Sequence, residues 1–386
     1  MAKLIDITGK ALSGEWGTDD ESGSGIPVLR TTNFTNEGVV NYNNVVTRTI
    51  SKKNIDEKYL CPGDIIIEKS GGSDKQPVGR VIYYDGPEKT YLFNNFTGLL
   101  RVKNKSRWHP RYVFYSLYSN YRKGGTREYE NKTTGLHNLK TDAYVSRYEV
   151  ADASFFHQKQ ICEHLDIIAG IIRLRQQELQ KLDDLIKARF VEMFGDPISN
   201  PKHWKMVELG TLTKVGSSKR IFEKEYVPEG VPFYRTKEIV ELSKGNQIST
   251  ELFITRERFD EIKRQYGAPK AGDLLISAVG TIGVIWIVDG KNDFYFKDGN
   301  LIRVDGSDKF DSLYMKSVLE NLISEHKKQM SSGTAYAALT ISGLSKMKVY
   351  DVPMDIQKKF ATFVSQVDKS KSHKKTNYKT NNKLAS

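Results

Sequence analysis

The chain has 386 residues, 38% hydrophobic and 27% charged, a globular balance that excludes a disordered or fibrous protein. At roughly 150 residues per domain this length suggests two domains. The formal net charge of +12 favours a polyanionic partner, with nucleic acid ahead of an anionic membrane surface. Cys61 and Cys162 lie far apart in no metal-ligand spacing, the start Met1-Ala2-Lys3-Leu4-Ile5-Asp6 has no apolar signal core, and no run approaches the ~18 apolar residues of a membrane span; a disulfide framework and a membrane protein are excluded, and a cytoplasmic location is expected.

Residues 1–152 contain short β-branched and aromatic runs bounded by Gly, Pro, Asn and Asp, the pattern of strands joined by turns. In order come Ile26-Pro27-Val28-Leu29-Arg30-Thr31, Gly63-Asp64-Ile65-Ile66-Ile67, a strand from Val78 to Asp85, and Phe93 to Val102. Asp64 reads as the turn residue entering a buried strand rather than as a catalytic acid. Arg111 to Tyr121 has helical spacing, with Tyr112, Tyr115 and Tyr118 as a stripe that helix-to-sheet packing explains more simply than base stacking.

Residues 153–196 form the second segment. From Phe155 to Phe194 there is no Pro, and Gly195-Asp196-Pro197 stops the helix. Ile161, Leu165, Ile168, Ile172, Leu179, Leu182, Ile186 and Met193 step by three and four with a period near 3.5, interrupted on the seam by Arg175 and Arg189. A helix of ~40 residues is about 60 Å long, a spacer rather than a core element.

Residues 197–352 repeat the first segment in the same order. Val231-Pro232-Phe233-Tyr234-Arg235-Thr236 matches the Ile26 run, Gly272-Asp273-Leu274-Leu275-Ile276 the Gly63 run, Ile282 to Asp289 the Val78 strand, and Phe296 to Val304 the Phe93 run. Phe310 to Leu322 repeats the aromatic helix, and Gln357-Lys358-Lys359-Phe360 echoes Gln158-Lys159-Gln160-Ile161. Ordered matches with small drifts mark a tandem duplication. The second copy opens with Trp204 to Gly210, whereas the first starts abruptly at Leu4, as if a lead-in were absent. Residues 353–368 begin the long helix again, with Phe360 and Val364 on its apolar face, and predict an antiparallel coiled coil with the central helix. Residues 369–386 are polar and lysine-rich; the reading is a shortened helix followed by a disordered, solvated tail. The fold expected is therefore α+β: two repeated, mainly-β heads joined by long helices.

Two similar basic heads on a rod match a DNA target with two specified halves and an unspecified gap. The repeated openings, the two Gly-Asp strand motifs, the stretch from Pro353 to Lys359 leading into a helix and the stretch from Leu182 to Pro197 closing one resemble the specificity subunit of type I restriction-modification systems, over nearly the whole chain. The resemblance implies two target-recognition domains reading a bipartite sequence in double-stranded DNA, and helices that set the spacing and dock two modification (methyltransferase) subunits, which restriction subunits then join. It also implies no cofactor in this chain, S-adenosylmethionine, ATP and magnesium serving only the partner subunits, and no membrane partner. The alternatives are a stand-alone DNA-binding or coiled-coil assembly protein, or a truncated, inactive specificity subunit.

Base reading needs hydrogen-bonding side chains on elements that enter a groove. In the first head the candidates are Arg30 and Thr31, the loop residues Lys69, Ser73, Lys75, Gln76 and Arg80, and Arg101 and Arg107 of a basic cluster; in the second they are Lys219, Arg220, Arg235, Thr236 and Lys237. No catalytic site is expected. Asn200-Pro201-Lys202-His203 is a turn rather than a base-gripping methyltransferase loop, no Walker motif occurs, Glu68-Lys69 lacks the acidic-x-Lys spacing of a nuclease, and the His residues are scattered without metal-ligand pairing.

Overall fold

The computed structural model describes every residue except 53, 54, 75, 134, 135, 331–338 and 386; the side chains of 132, 133, 136, 329, 330 and 373–385 also lie outside the description. The chain divides into two compact units at Ile171 and Ile172, within the central helix.

The first unit is built on an antiparallel four-stranded sheet in the order Leu12–Ser13, Thr97–Leu100, Ile65–Glu68, Val81–Tyr83. The Gly-Asp turn enters its central strand as expected: Gly63 takes φ 97°, where a Cβ would be strained, and Asp64 accepts a hydrogen bond from the Cys61 amide at 2.8 Å. Ile65 and Ile67 face the helix Pro110–Arg122, which buries Tyr112, Val113, Phe114 and Leu117 on the sheet, while Ile66 faces a second cluster with Leu29, Tyr84 and Phe93. Strand Ile26–Leu29 pairs in parallel with Leu92–Phe93. The tyrosine stripe is structural, since the Tyr118 hydroxyl donates to the Asn36 carbonyl and the Tyr115 hydroxyl to Asp166.

The second unit repeats this plan. Its four-stranded sheet runs Val215–Gly216, Leu301–Val304, Leu274–Ser277, Ile285–Ile287, and Val231–Tyr234 pairs in parallel with Tyr295–Phe296. Ser312–Met330 takes the place of the first unit's helix and buries Tyr314, Met315, Val318 and Leu319. The apparent lack of a lead-in in the first copy is resolved by pairing: Ala2–Lys3 joins Glu149–Val150 as Met206–Glu208 joins Lys348–Tyr350, and each lead strand runs directly into a short helix, Leu4–Thr8 or Leu209–Leu212. The copies diverge elsewhere. Helices Thr236–Ser243 and Arg256–Tyr266 belong to the second unit, and the three-stranded sheet of Ser70–Gly72, Glu130–Thr133 and Leu136–Leu139 to the first.

One part of the repeat is offset. The strand register pairs Leu100 with Ile65 and Val304 with Leu274, so Leu100 corresponds to Val304, and the Arg-Val steps matched by sequence, Arg101 and Arg303, are two residues apart structurally. A slip of two leaves every side chain on the same face, which is why the apolar pattern did not expose it.

Each head holds the start of a long helix with a buried glutamine. Gln158 of the helix Phe155–Phe194 accepts from the His109 amide at 2.8 Å and donates to the carbonyls of Ala153 and Arg107 at 2.9 and 3.1 Å. Gln357 of the helix Met354–Ala385 accepts from the Asp311 amide at 2.8 Å and donates to the Val352 carbonyl at 2.7 Å. The expected helix end near Val367 is corrected: the distal helix continues to Ala385. Its polar residues are compatible with this because Lys371 is held by Asp183 at 2.7 Å and Asp368 at 3.1 Å, so an ion pair takes the place that an apolar contact would fill.

Candidate nucleic-acid interface

In the first head the predicted residues fall into two groups. Arg80 and Arg101 are spent internally. The Arg80 guanidinium donates to the Thr31 and Phe34 carbonyls at 2.9 and 3.0 Å and pairs with buried Glu68 at 3.3 Å. Arg101 grips Asp64 with Nε at 2.8 Å and Nη2 at 2.6 Å and also donates to the carbonyls of Glu57 and Tyr59. Arg107 pairs with Asp152, donates to the Ala153 carbonyl and lies over Trp108, bracing the start of the central helix. Lys69, its amine lowered by burial, donates from Nζ to the Ser13 hydroxyl at 3.0 Å. Ser73 and Gln76 close a tight turn by exchanging backbone hydrogen bonds of 2.7 and 3.1 Å, and the Gln76 amide donates to the Tyr121 hydroxyl at 3.2 Å. Lys75 lies outside the described residues.

Arg30 and Thr31 stand where the parallel strand pair ends. Arg30 Nη2 donates to the Asn44 carbonyl at 3.1 Å, and its amide is capped by the buried Asn33 side chain at 3.0 Å. Arg235 and Thr236 occupy the same place in the second head, the Arg235 amide being capped by buried Glu238 at 2.8 Å while Nη2 contacts the same carboxylate at 3.2 Å. Nearby, exposed Arg220 donates from Nε to Asp298 Oδ2 at 2.8 Å, and Lys219 lies 5.2 Å above the Tyr266 ring. Lys237 is exposed. Arg30 Nε, Asn94 Oδ1, Arg235 Nε, Thr236 Oγ1 and Asp298 Oδ1 are buried without a hydrogen-bond partner. Asn94 and Asp298 were missed in the sequence, although Asn94 directly follows the Phe93 strand and Asp298 lies two residues past Phe296 in its repeat.

The helix seam divides between the units. Toward the first head, Gln158 and Cys162 are buried and Leu165 half-buried, whereas Ile161 is 40% exposed. The seam assigned to Ile161 therefore lies one residue away, because Gln158, Cys162 and Leu165 follow the face that the glutamine fixes on the head. Ile168, Ile172, Leu179 and Leu182 are half-buried. Within the second unit, Ile186 and Met193 pack against the core containing Phe190, Phe194, Phe360 and Val364. Phe360 meets Phe190 and Phe194 at ring separations of 5.7 and 5.4 Å, and Lys371 meets Asp183, so the two helices pair antiparallel as expected. Among the described residues, no cluster of His, Cys, Asp and Glu has the makings of a metal site, and no helix is long and apolar enough to cross a membrane.

This duplicated architecture is similar to that of a solved type I restriction-modification S subunit. The S subunit crystal structure from M. genitalium superposes with a TM-score of 0.53 at 15% identity, over 99% of this chain and 92% of that one. A chain from a structural study of complex assembly and conformational transition in a type I R-M system gives 0.52 at 15% identity, over 99% and 94%. Residues 201–382 match the family described as type I restriction modification DNA specificity domain. A Haemophilus influenzae protein provisionally described as the type I restriction enzyme specificity subunit S.HindORF215P is 31% identical over 165 residues, which span 42% of this chain and 40% of that relative. The chain thus shares the fold of these S subunits along its length, and residues 201–382 resemble the type I specificity domain, as the motifs led us to expect.

Proposed function

We propose that this chain is the DNA sequence-recognition subunit of a type I restriction-modification complex, each head reading one half of a bipartite duplex target. The paired helices set the gap and dock modification subunits, two of them, which restriction subunits join. Chemistry belongs to those partners, which supply S-adenosylmethionine, ATP and magnesium sites, and the complex works in the cytoplasm. The observation that supports this reading is the duplication of a whole head, with the same strand order and the same glutamine clamp at the following helix, while the remaining elements differ between copies. A shared frame with divergent additions suits two readers of different sequences.

The test is to co-express the chain with its neighbouring modification subunit and map methylated adenines genome-wide. A bipartite motif with a fixed unspecified gap is expected. Methylation at a single uninterrupted motif, or DNA turnover by the purified chain alone, would sink the proposal.

A further inference from the structure

Among the described residues, eight buried side-chain nitrogen or oxygen atoms have no hydrogen-bond partner, and five of them belong to the ends of the two parallel strand pairs. In the first head these are Arg30 Nε and Asn94 Oδ1, and in the second Arg235 Nε, Thr236 Oγ1 and Asp298 Oδ1. The correspondence is set by the backbone: the Asn94 amide donates to the Leu29 carbonyl at 3.0 Å, and the Lys297 amide donates to the Tyr234 carbonyl at 2.8 Å. Each arginine therefore begins one residue past a paired strand, and the counterpart of Asn94 is Lys297, so Asp298 lies one residue farther along the chain leaving the neighbouring strand. Asn94 is 4% exposed. Folded proteins rarely leave such groups unpaired, and the recurrence of the unpaired arginine Nε at one place in two divergent copies, with an unpaired side-chain oxygen close by in the chain that leaves the neighbouring strand, points to a shared ligand.

We propose that these strand ends are the base-reading positions of the two heads, and that Asn94 in one and Asp298 in the other make the heads read different bases. This rests on the DNA-recognition reading given above and adds the residues that set sequence preference. A carboxamide donates and accepts, matching N7 and N6 of adenine; a carboxylate only accepts, matching the N4 amino group of cytosine. The neighbouring arginines present donors suited to guanine. Both sites are covered in the free protein. Arg220, whose side chain is 66% exposed, lies on Asp298, and the exposed Asn44 holds Arg30 through its carbonyl. Phosphates compete with Asp298 for the Arg220 guanidinium, and drawing that side chain outward uncovers the carboxylate.

The full chain, assembled with its modification subunit, would be used to select from a randomised duplex DNA library, alongside Asn94→Asp and Asp298→Asn. Asp298→Asn should lose cytosine preference by about tenfold or more at one position of one half-site and gain adenine there, and Asn94→Asp should do the reverse in the other half-site. In each variant the untouched half-site is preserved, which also reports that the protein is folded. Variants that melt at the wild-type temperature and keep every base preference overturn the assignment while leaving bipartite recognition standing. Loss of preference at both half-sites in either variant also overturns it, since the effect would then not be local. A wild-type complex that selects no sequence overturns both this inference and the reading beneath it.

Discussion

Replacing Gln357 with Ala removes the partner of two buried groups at once, the Asp311 amide and the Val352 carbonyl. A buried group stripped of its hydrogen bond costs about 1–3 kcal/mol, so the substitution should destabilise the second head by about 2–6 kcal/mol. Gln158→Ala strands the His109 amide and two carbonyls, those of Arg107 and Ala153, and should cost the first head at least as much. The two clamps sit in separate hydrophobic cores, so each serves as the other's control. Amide hydrogen exchange reads the effect residue by residue: protection of the core strand Leu274–Ser277 should fall in the Gln357 variant while that of Ile65–Glu68 stays at the wild-type level, with the converse for Gln158. If neither variant changes protection by as much as about 0.5 kcal/mol, the range of an ordinary surface substitution, the glutamines do not fasten the helices and the argument fails.

Arg101→Ala leaves the buried Asp64 carboxylate without its bidentate partner, and breaking a buried pair typically costs about 3–5 kcal/mol. A marked fall in melting temperature is expected; a variant that melts like the wild type but no longer binds DNA would make Arg101 a DNA contact instead. Lys237→Ala, at an exposed site, should leave melting unchanged and reduce the salt dependence of DNA binding by about one ion if it touches a phosphate. Burial alone would lower the Lys371 amine, but its bonds to Asp183 and Asp368 outweigh that and raise its pKa above the ordinary lysine value. Its stabilisation is therefore complete below about pH 10 and lost as pH climbs through the raised value, so the stability gap between wild type and Lys371→Met should close in alkali. Burial pushes the Cys162 thiol up to about 12, and iodoacetamide at neutral pH should modify it only after unfolding, as mass spectrometry of native and urea-treated protein would show.

The duplication, the Gly-Asp turns and the long helices were legible because each leaves a local signature: ordered repeats, a turn residue before an apolar run, and a 3.5-residue period. What was not legible depends on contacts between segments distant in sequence. Arg80 and Arg101 read as basic surface until their partners Glu68 and Asp64 are brought to them by strand pairing. Ile161 read as seam because the heptad alone does not say which face the head will claim, and Gln158 decides that through His109, Arg107 and Ala153. The distal helix read as ending at Val367 because apolar spacing ceases there, whereas Lys371 continues the pairing through charge. Asn94 and Asp298 carried no signal of their own; they become conspicuous only as atoms that find no partner.

The offset between Arg101 and Arg303 bears on how the copies have diverged. Both heads keep an aspartate at the start of the central strand, and in both it is buried. Asp64 is neutralised by Arg101 from beyond the neighbouring strand's end; Asp273 is held by the Lys270 and Gly306 amides at 3.0 and 2.8 Å, with Arg303 at 3.9 Å from within that strand and bonded to Asp305 at 2.7 Å. Asp305 stands where the first copy has its arginine. The acid is common to both copies while its compensation differs, since an enclosed carboxylate demands compensation but accepts it from any donor within reach. Mutational drift in such a pair should therefore proceed by gain of a second cation before loss of the first, and sequences caught between the two arrangements would carry arginine at both places.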